Sequence, residues 1–184
     1  MPRRRTTLSV VVRLLLWALL LAGGTALSLW LDLRWYPERI RSLTWHLLTL
    51  PVGLVLMKLA FNAAAAGGRE LAKGGKSSPD VPRLETDRLV TGGIYAHMRH
   101  PMLFGLTLVP MALAFIVGSP SFITLVAPVE MLFIVIMVLT FEEAECRRKF
   151  GDDYRSYARR VPPVCFKPNC LKMLFIDDFF KGKG

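Results

Sequence analysis

Four stretches of the chain are predominantly apolar: residues 8–31, 43–66, 102–117 and 122–141. Each is bounded by polar or charged residues, and a helix needs about 20 apolar residues to cross a bilayer. The first run, Leu8 to Leu31, is interrupted by Arg13. It is longer than the apolar part of a signal peptide and lacks a clean cleavage site. Arg13 is expected to snorkel toward the arginines before it. The second run contains Pro51 and Lys58, and the proline predicts a kink. The third is short, and Gly118-Ser119-Pro120-Ser121 joins it tightly to the fourth. The pattern predicts an all-α integral membrane protein. It would be a single membrane domain over 1–184 with about four transmembrane helices, a cytoplasmic loop and a C-terminal helical tail.

The polar segments between these runs have their own signals. Asp32 to Ser42 reads as a connector, with Trp30, Trp35 and Tyr36 suited to a membrane–water interface. Residues 67–101 form a polar stretch too long for a simple turn, and such stretches are usually functional. In residues 142–163, Glu143 with Arg147 and Glu145 with Lys149 are acid-first i,i+4 pairs. They predict that the fourth helix continues out of the membrane to about Phe150, where Gly151 interrupts it. A short helix over Asp152 to Arg160 would end at Pro162 and Pro163. The apolar segment Leu171 to Phe180, which carries Asp177 and Asp178, is expected on the membrane surface.

Composition agrees with lipid as the solvent. The 184 residues are 53% hydrophobic and 21% charged, and mean hydropathy is +0.40. The net charge of +10 invites a nucleic-acid reading. Its distribution argues against one, because the basic residues sit at chain ends and between apolar runs, where they face lipid headgroups. With four crossings, Arg3 to Arg5, the loop with Arg69, Lys73, Lys76, Arg83, Arg88 and Arg99, and the basic tail all fall on one side. That side is assigned as cytoplasmic, with both termini on it, in an inner membrane or the endoplasmic reticulum. Cys146, Cys165 and Cys170 are read as ordinary thiols, since an odd count without nearby histidines suggests neither a disulfide framework nor a metal site.

Candidate chemistry gathers at the two ends of the last hairpin. Leu89 to Gly105 includes Gly92-Gly93, Tyr95, His97 and Arg99-His100-Pro101, and leads straight into the third run. The glycines permit close backbone approach. Pro101 suits a first helical turn, whose positive end favours a carboxylate. Glu142-Glu143-Ala144-Glu145 lies where the fourth run ends. A hairpin returns both stretches to one face, bringing Gly, Tyr, His and Arg near three acids. That set suits S-adenosylmethionine: its carboxylate wants helix N–H groups or Arg, its ammonium wants Glu, and methyl transfer relies on positioning and desolvation. The plainer alternative is that His100 caps a helix, Arg99 anchors a headgroup and the acids begin a solvated helix.

The run Gly-x-Tyr-x-x-x-Arg-His-Pro, then Glu-Glu, Phe-Gly-x-x-Tyr-x-x-Tyr and Val-Pro, resembles the membrane methyltransferases of the isoprenylcysteine carboxyl and phospholipid type. The resemblance covers Leu89 to Pro162. It implies cofactor contacts at Leu89, Val90, Tyr95, His100, Pro101, Met102, Leu103 and Glu142, and a lipid-like acceptor entering laterally from the bilayer. Arg99, His100 and Glu143 are the catalytic candidates, with Glu143 or His97 as the base for an amine acceptor. Two positions depart from the family pattern. Met102, Leu103 and Phe104 stand where a Tyr often follows the Pro. Val138 stands where the isoprenylcysteine enzymes carry an Arg for the substrate carboxylate, which leaves a phospholipid amine at least as suitable an acceptor. The segment from Glu145 to Pro162 is also similar to the end of membrane sterol reductases, which use NADPH. A non-catalytic structural role is the remaining alternative. Lys58 and Glu130, both inside apolar runs, are expected either to pair or to snorkel and stay protonated, respectively.

Overall fold

The structure is a computed structural model that describes residues 3–78, 80–81 and 86–176. The side chains of residues 3–14, Arg83 and the segment with Asp177 and Asp178 lie outside the described residues, so the Arg13 expectation falls there as well. The described chain is all-helical. It runs α1 (Arg3–Trp35), α2 (Pro37–Arg41), α3 (Leu43–Gly74), a 3-10 turn (Gly93–Ala96), α4 (Pro101–Val117), a π turn (Phe122–Val126), α5 (Ala127–Met137), a second π turn (Val138–Glu142), α6 (Glu143–Arg160) and α7 (Pro168–Ile176). Leu15–Trp35, Leu43–Gly74 and the continuous Phe122–Arg160 are long and apolar enough to cross a membrane, and Pro101–Val117 is a shorter apolar helix. An all-α membrane protein with about four apolar helices is therefore what the chain forms.

The two π turns set which residues point inward. Between residues 122 and 143 the buried positions are Phe122, Ala127, Glu130, Ile134, Val138 and Glu143. Steps of three or four keep to one helical face. The two steps of five coincide with the π turns, where the Ala127 N–H reaches the Phe122 carbonyl and the Glu143 N–H reaches the Val138 carbonyl. An i→i+5 bond widens the turn by one residue, so residues five apart lie one above the other. Glu143, and not its neighbour, thereby continues the inward face of the apolar run.

Packing divides the chain into two compact units, residues 1–54 with 110–131 and residues 55–109 with 132–184. In the first unit, Asp32 is fully buried inside α1 and does not lie in a polar connector. Its carboxylate accepts the Ser119 hydroxyl and the Ser121 N–H, the latter at 2.8 Å. Ser119 Oγ in turn accepts the Phe122 N–H at 3.1 Å. Helix starts leave N–H groups without intrahelical partners, and these acceptors meet that need away from water. The Trp45 indole N–H donates to the Gly118 carbonyl at 2.8 Å, which fixes the same connection. Trp30, Trp35 and Tyr36 are exposed.

In the second unit α3 and α4 approach closely through small residues. Ala60, Ala63 and Ala66 are buried on α3, and a Cβ at Gly105 of α4 would collide with the Ala60 carbonyl. Close backbone approach of this kind replaces the hydrophobic drive that lipid cannot supply. Packing of Gly67 against Pro101 and Met102 carries α3 on to Gly74, well past Ala66, so part of the expected loop is helix. Helix α7 is packed as well. Leu174 is fully buried, and its carbonyl accepts the Asn62 side-chain amide at 2.8 Å. Leu174 thus turns one face of α7 toward the protein, while Lys172 is exposed. Cys165 and Cys170 are joined in a disulfide, their Cα atoms 6.1 Å apart, while Cys146 is free. This corrects the reading of ordinary thiols: the first turn of α7 returns Cys170 to bridging distance of Cys165.

Candidate functional site

The site is built within the second unit from the start of α4 and the start of α6. A strap of prolines aligns the first of these. The Arg99 N–H donates to the Pro162 carbonyl at 3.0 Å and the His100 N–H to the Pro163 carbonyl at 3.1 Å. Proline has an acceptor and no N–H, so the strap holds this backbone without forming a ladder of its own. Pro101 then opens α4, where a residue lacking an N–H fits the first turn. The second π turn brings Glu143 inward to meet these residues.

Glu143 is the centre of the cluster. Its Oε1 lies 2.7 Å from His100 Nε2 and accepts the Tyr154 hydroxyl at 3.0 Å. Its Oε2 lies 3.2 Å from Arg99 Nη1 and 3.7 Å from Arg147 Nη2, which includes the expected Glu143–Arg147 pair. The guanidinium of Arg99 also stacks 5.8 Å from the Tyr154 ring. Burial alone would raise the Glu143 carboxyl. The hydrogen bonds from His100 and Tyr154 and the charge of Arg99 outweigh it and hold the group below its ordinary range. Glu143 is thus an ionised anchor. Two buried polar atoms nevertheless have no hydrogen-bond partner, Glu143 Oε2 and Arg99 Nε: the charges near Oε2 are close but not aligned as donors.

The tyrosines of α6 bind the rest of the site together. Gly151 adopts φ 56° inside this helix, a conformation that glycine takes at little cost. The helix bends there, where the sequence predicts an interruption, and resumes with Tyr154 and Tyr157 both buried. The Tyr157 hydroxyl donates to the Tyr95 carbonyl at 2.5 Å, tying the 3-10 turn to α6. Burial pushes the pKa of the Tyr95, Tyr154 and Tyr157 hydroxyls above the ordinary value, so all three keep their protons.

Arg99, His100 and Glu143 are therefore brought together as the sequence suggests. Tyr95 is buried one turn away through Tyr157, and Pro101 is fully buried behind the cluster. Leu89 and Val90 are half-buried on the approach, Met102 is exposed, His97 is exposed, and Glu142 is half-buried beside Glu143. The sequence alone assigns no role to Tyr154, Tyr157 or the Pro162-Pro163 carbonyls, and gives Arg147 only a helix ion pair. The signal for the tyrosines was their i,i+3 spacing, which puts both on one helical face.

Two cavities lie in the second unit, and one of them is walled by Arg99 and Arg147. One, of about 110 Å³, is apolar and is lined by Leu103, Phe104, Val135, Val138, Leu139 and Val164, among others. Val138, where an arginine was a point of comparison, is one wall of it. The other, of about 370 Å³, is lined by Arg99, Arg147, Arg155, Ala158 and Arg159. No group of three or more His, Cys, Asp or Glu among the described residues is placed to hold a metal ion. A family model described as phospholipid methyltransferase matches residues 48–153. No curated protein and no solved structure matches the chain.

Proposed function

The chain belongs to the phospholipid methyltransferase family, and from that premise we propose that it transfers a methyl group from S-adenosylmethionine to a lipid-like acceptor held in the membrane. The single observation that carries this reading is the buried Glu143 oxygen with no aligned donor, set between His100 and two arginines. A charged acceptor left unfilled in a dry site is costly unless a ligand fills it. The ammonium of an amino-acid end has the charge and the hydrogens to do so, which is how the residues present fit the cofactor.

When bound, the cofactor would supply a sulfonium methyl that an acceptor lone pair attacks in line, with the thioether as leaving group; an amine acceptor would react as the free base or release a proton to solvent. The chain's own work is positioning. Leu89, Val90, Tyr95, His100, Pro101, Met102, Leu103 and Glu142 are the proposed cofactor contacts, and Arg99, His100 and Glu143 the proposed catalytic set. His100 is held by Glu143 on one side and by the proline strap through its backbone. Glu143, held ionised, orients cations and does not readily collect protons. The apolar cavity walled by Val138 and Leu103 takes part of the acceptor's chain and excludes water, which strengthens the charges beside it. In this reading residues 67–101 and 142–163 are cytoplasmic, and the spans are 8–31, 43–66, 102–117 and 122–141.

The test is a labelled methyl donor given to the purified full-length protein in lipid extract. Label should appear in a phospholipid fraction and be lost in His100→Ala. Both His100→Ala and Glu142→Ala should weaken cofactor binding by roughly tenfold or more, the scale of one lost charge-assisted hydrogen bond. Absence of label from every lipid overturns the activity, and unchanged affinity in both variants overturns the cofactor contacts.

A further inference from the structure

Residues 161–167 follow α6 without helix or strand, yet this stretch holds the backbone of the site. The Pro162 and Pro163 carbonyls accept the Arg99 and His100 N–H groups, and Pro163 and Val164 wall the apolar cavity. Prolines donate to no ladder, so these carbonyls stay in place only as far as the chain on either side is fixed. Toward α6 the Val161 N–H donates to the Tyr157 carbonyl at 3.1 Å. Beyond Pro163 the fixings are the edge-on contact of Phe166 with Phe104 and the Cys165–Cys170 disulfide. Cys170 lies in the first turn of α7 (Pro168–Ile176), and α7 is tied to α3 by the Asn62 amide on the Leu174 carbonyl. A continuous path thus runs from α3 through α7 and the bridge to the strap. It ends at the backbone of Arg99 and His100, and all of it lies within the second unit. The disulfide is the one covalent cross-link on this path and among the described residues.

Location gives the cross-link its meaning. Cys165 and Cys170 are buried in the same core as Ile94, Tyr95, Met98 and Phe104. Residues 166–169, the loop that the bridge closes, are exposed, so a small thiol reaches the sulfurs by local lifting of that loop. On the proposed orientation the strap faces the cytoplasm. Disulfides are rare in that compartment, and those that form there are usually transient, catalytic or redox-sensing. A bridge at this position makes the geometry of the site follow the thiol–disulfide balance around it.

We propose that Cys165 and Cys170 form a redox-operated tether. Oxidised, the pair holds the Pro162 and Pro163 carbonyls against Arg99 and His100; reduced, it releases them and weakens the site. Closure joins the two sulfurs while both thiols lose their protons and the pair gives up two electrons. A low-molecular-weight disulfide takes these up and leaves as two thiols, by way of a mixed disulfide. The effect on methyl transfer rests on the proposed function, whereas the holding of the strap does not.

The experiment uses the full chain in detergent, equilibrated in glutathione buffers from fully reduced to fully oxidised. Alkylation in denaturant counts the thiols: Cys146 alone should react after oxidation, and all three cysteines after reduction. Amide hydrogen exchange then reads the strap directly. On reduction the Arg99 and His100 amides should exchange about tenfold faster or more. The Ser121 amide, held by Asp32 in the first unit, should not change. Affinity for S-adenosylmethionine should fall about fivefold or more and return on reoxidation. Cys165→Ala/Cys170→Ala should behave as the reduced protein in every buffer, and if that variant does not fold, the reversible change in the wild type decides. A pair that stays in one state across the buffers overturns the switch, as does unchanged exchange at Arg99 and His100. Exchange that rises equally at Ser121 assigns the bridge to general stability and overturns the tether. A redox response that persists in the double variant belongs to Cys146 and overturns it too. Faster exchange at Arg99 and His100 with cofactor affinity unmoved overturns the control of the site. Faster exchange there, with no cofactor bound in either state, keeps the tether and removes the methyl-transfer reading.

Discussion

Asp32 in the first unit and Glu143 in the second are both buried carboxylates close to a helix start, yet their surroundings differ in kind. Asp32 is met by neutral donors, a serine hydroxyl and a backbone N–H, and each of its oxygens has one. Those donors belong to the connection that begins the Phe122 π turn, so the acid closes the protein's own backbone. Glu143 is met by Arg99, Arg147 and His100 as well as Tyr154. One of its oxygens is left without an aligned donor, and a cavity with four arginines opens beside it. A carboxylate completed by neutral groups is a structural cap. A carboxylate crowded by cations, with one oxygen lacking an aligned donor, still has room for a further hydrogen bond.

Removing each acid tests that contrast, and the larger effect belongs to Glu143. Glu143→Ala leaves Arg99 buried without its counter-charge, and breaking a buried ion pair from one side costs about 3–5 kcal/mol. Methyl transfer should fall by at least about 100-fold, beyond what the loss of folded protein explains, because roughly 2.7 kcal/mol of lost positioning is already that much. Activity per folded molecule, with folding followed by thermal unfolding in detergent, measures both. Activity close to wild type in the folded variant would place Glu143 in the same class as Asp32.

Titration reaches the same charge without mutation, with a smaller expected effect. The Glu143 carboxyl is held below its ordinary value of 4.5. A group depressed by folding contributes stability that is full above the unfolded value and is lost as pH falls through the folded one. The second unit should therefore resist heat equally above about pH 5 and weaken below it. In Glu143→Gln that acid-side loss should shrink. Thermal unfolding measured from pH 7 down to pH 3 on both proteins compares them, and identical acid-side slopes would assign the loss to other carboxylates.

Asp32→Ala should cost less, about 1–3 kcal/mol, the desolvation penalty of leaving the Ser119 and Ser121 donors unsatisfied. Activity per folded molecule should be unchanged. A folded Asp32→Ala protein with activity reduced tenfold would show that the first unit's cap shapes the site after all, and the contrast would fail.

How far the sequence reveals this arrangement depends on regularity. The apolar runs locate the helices, because span length is set by the bilayer and little else. The Gly151 interruption and the Arg99-His100 junction with the acids of 142–145 are equally legible. What periodicity misreads is the phase. From Ile134 and Val138, a regular helix places Phe141 or Glu142 next on the inward face. The π turn at Val138–Glu142 gives that place to Glu143, and no residue type in Val-Leu-Thr-Phe-Glu announces a widened turn. Asp32 misleads for the converse reason. A charged residue after an apolar run reads as the end of a helix, and only its partners, Ser119 and Ser121, about 90 residues on, make burial affordable. The Cys165–Cys170 bridge and the packing of α7 on Asn62 likewise depend on contacts that local pattern does not carry.

The smallest change tests whether the second unit is organised around its acid or around its tyrosines. Tyr157→Phe removes one hydroxyl, which donates to the Tyr95 carbonyl at 2.5 Å, and keeps the ring that packs edge-on against Tyr154 at 6.0 Å. The hydrogen bond joins the 3-10 turn to α6 without touching Glu143. A single buried hydrogen bond to a neutral partner contributes about 0.5–1.5 kcal/mol, and the unpaired Tyr95 carbonyl sets the upper part of that range. If the acid organises the site, the variant should unfold at a slightly lower temperature. Cofactor affinity should then fall no more than a few-fold, through a looser Tyr95. If the tyrosine strap organises it, affinity should fall as steeply as in His100→Ala, since the turn that leads into Arg99-His100 would lose its register. Cofactor titration of Tyr157→Phe beside His100→Ala separates the two, and the acid-centred account requires the tyrosine variant to remain the milder one.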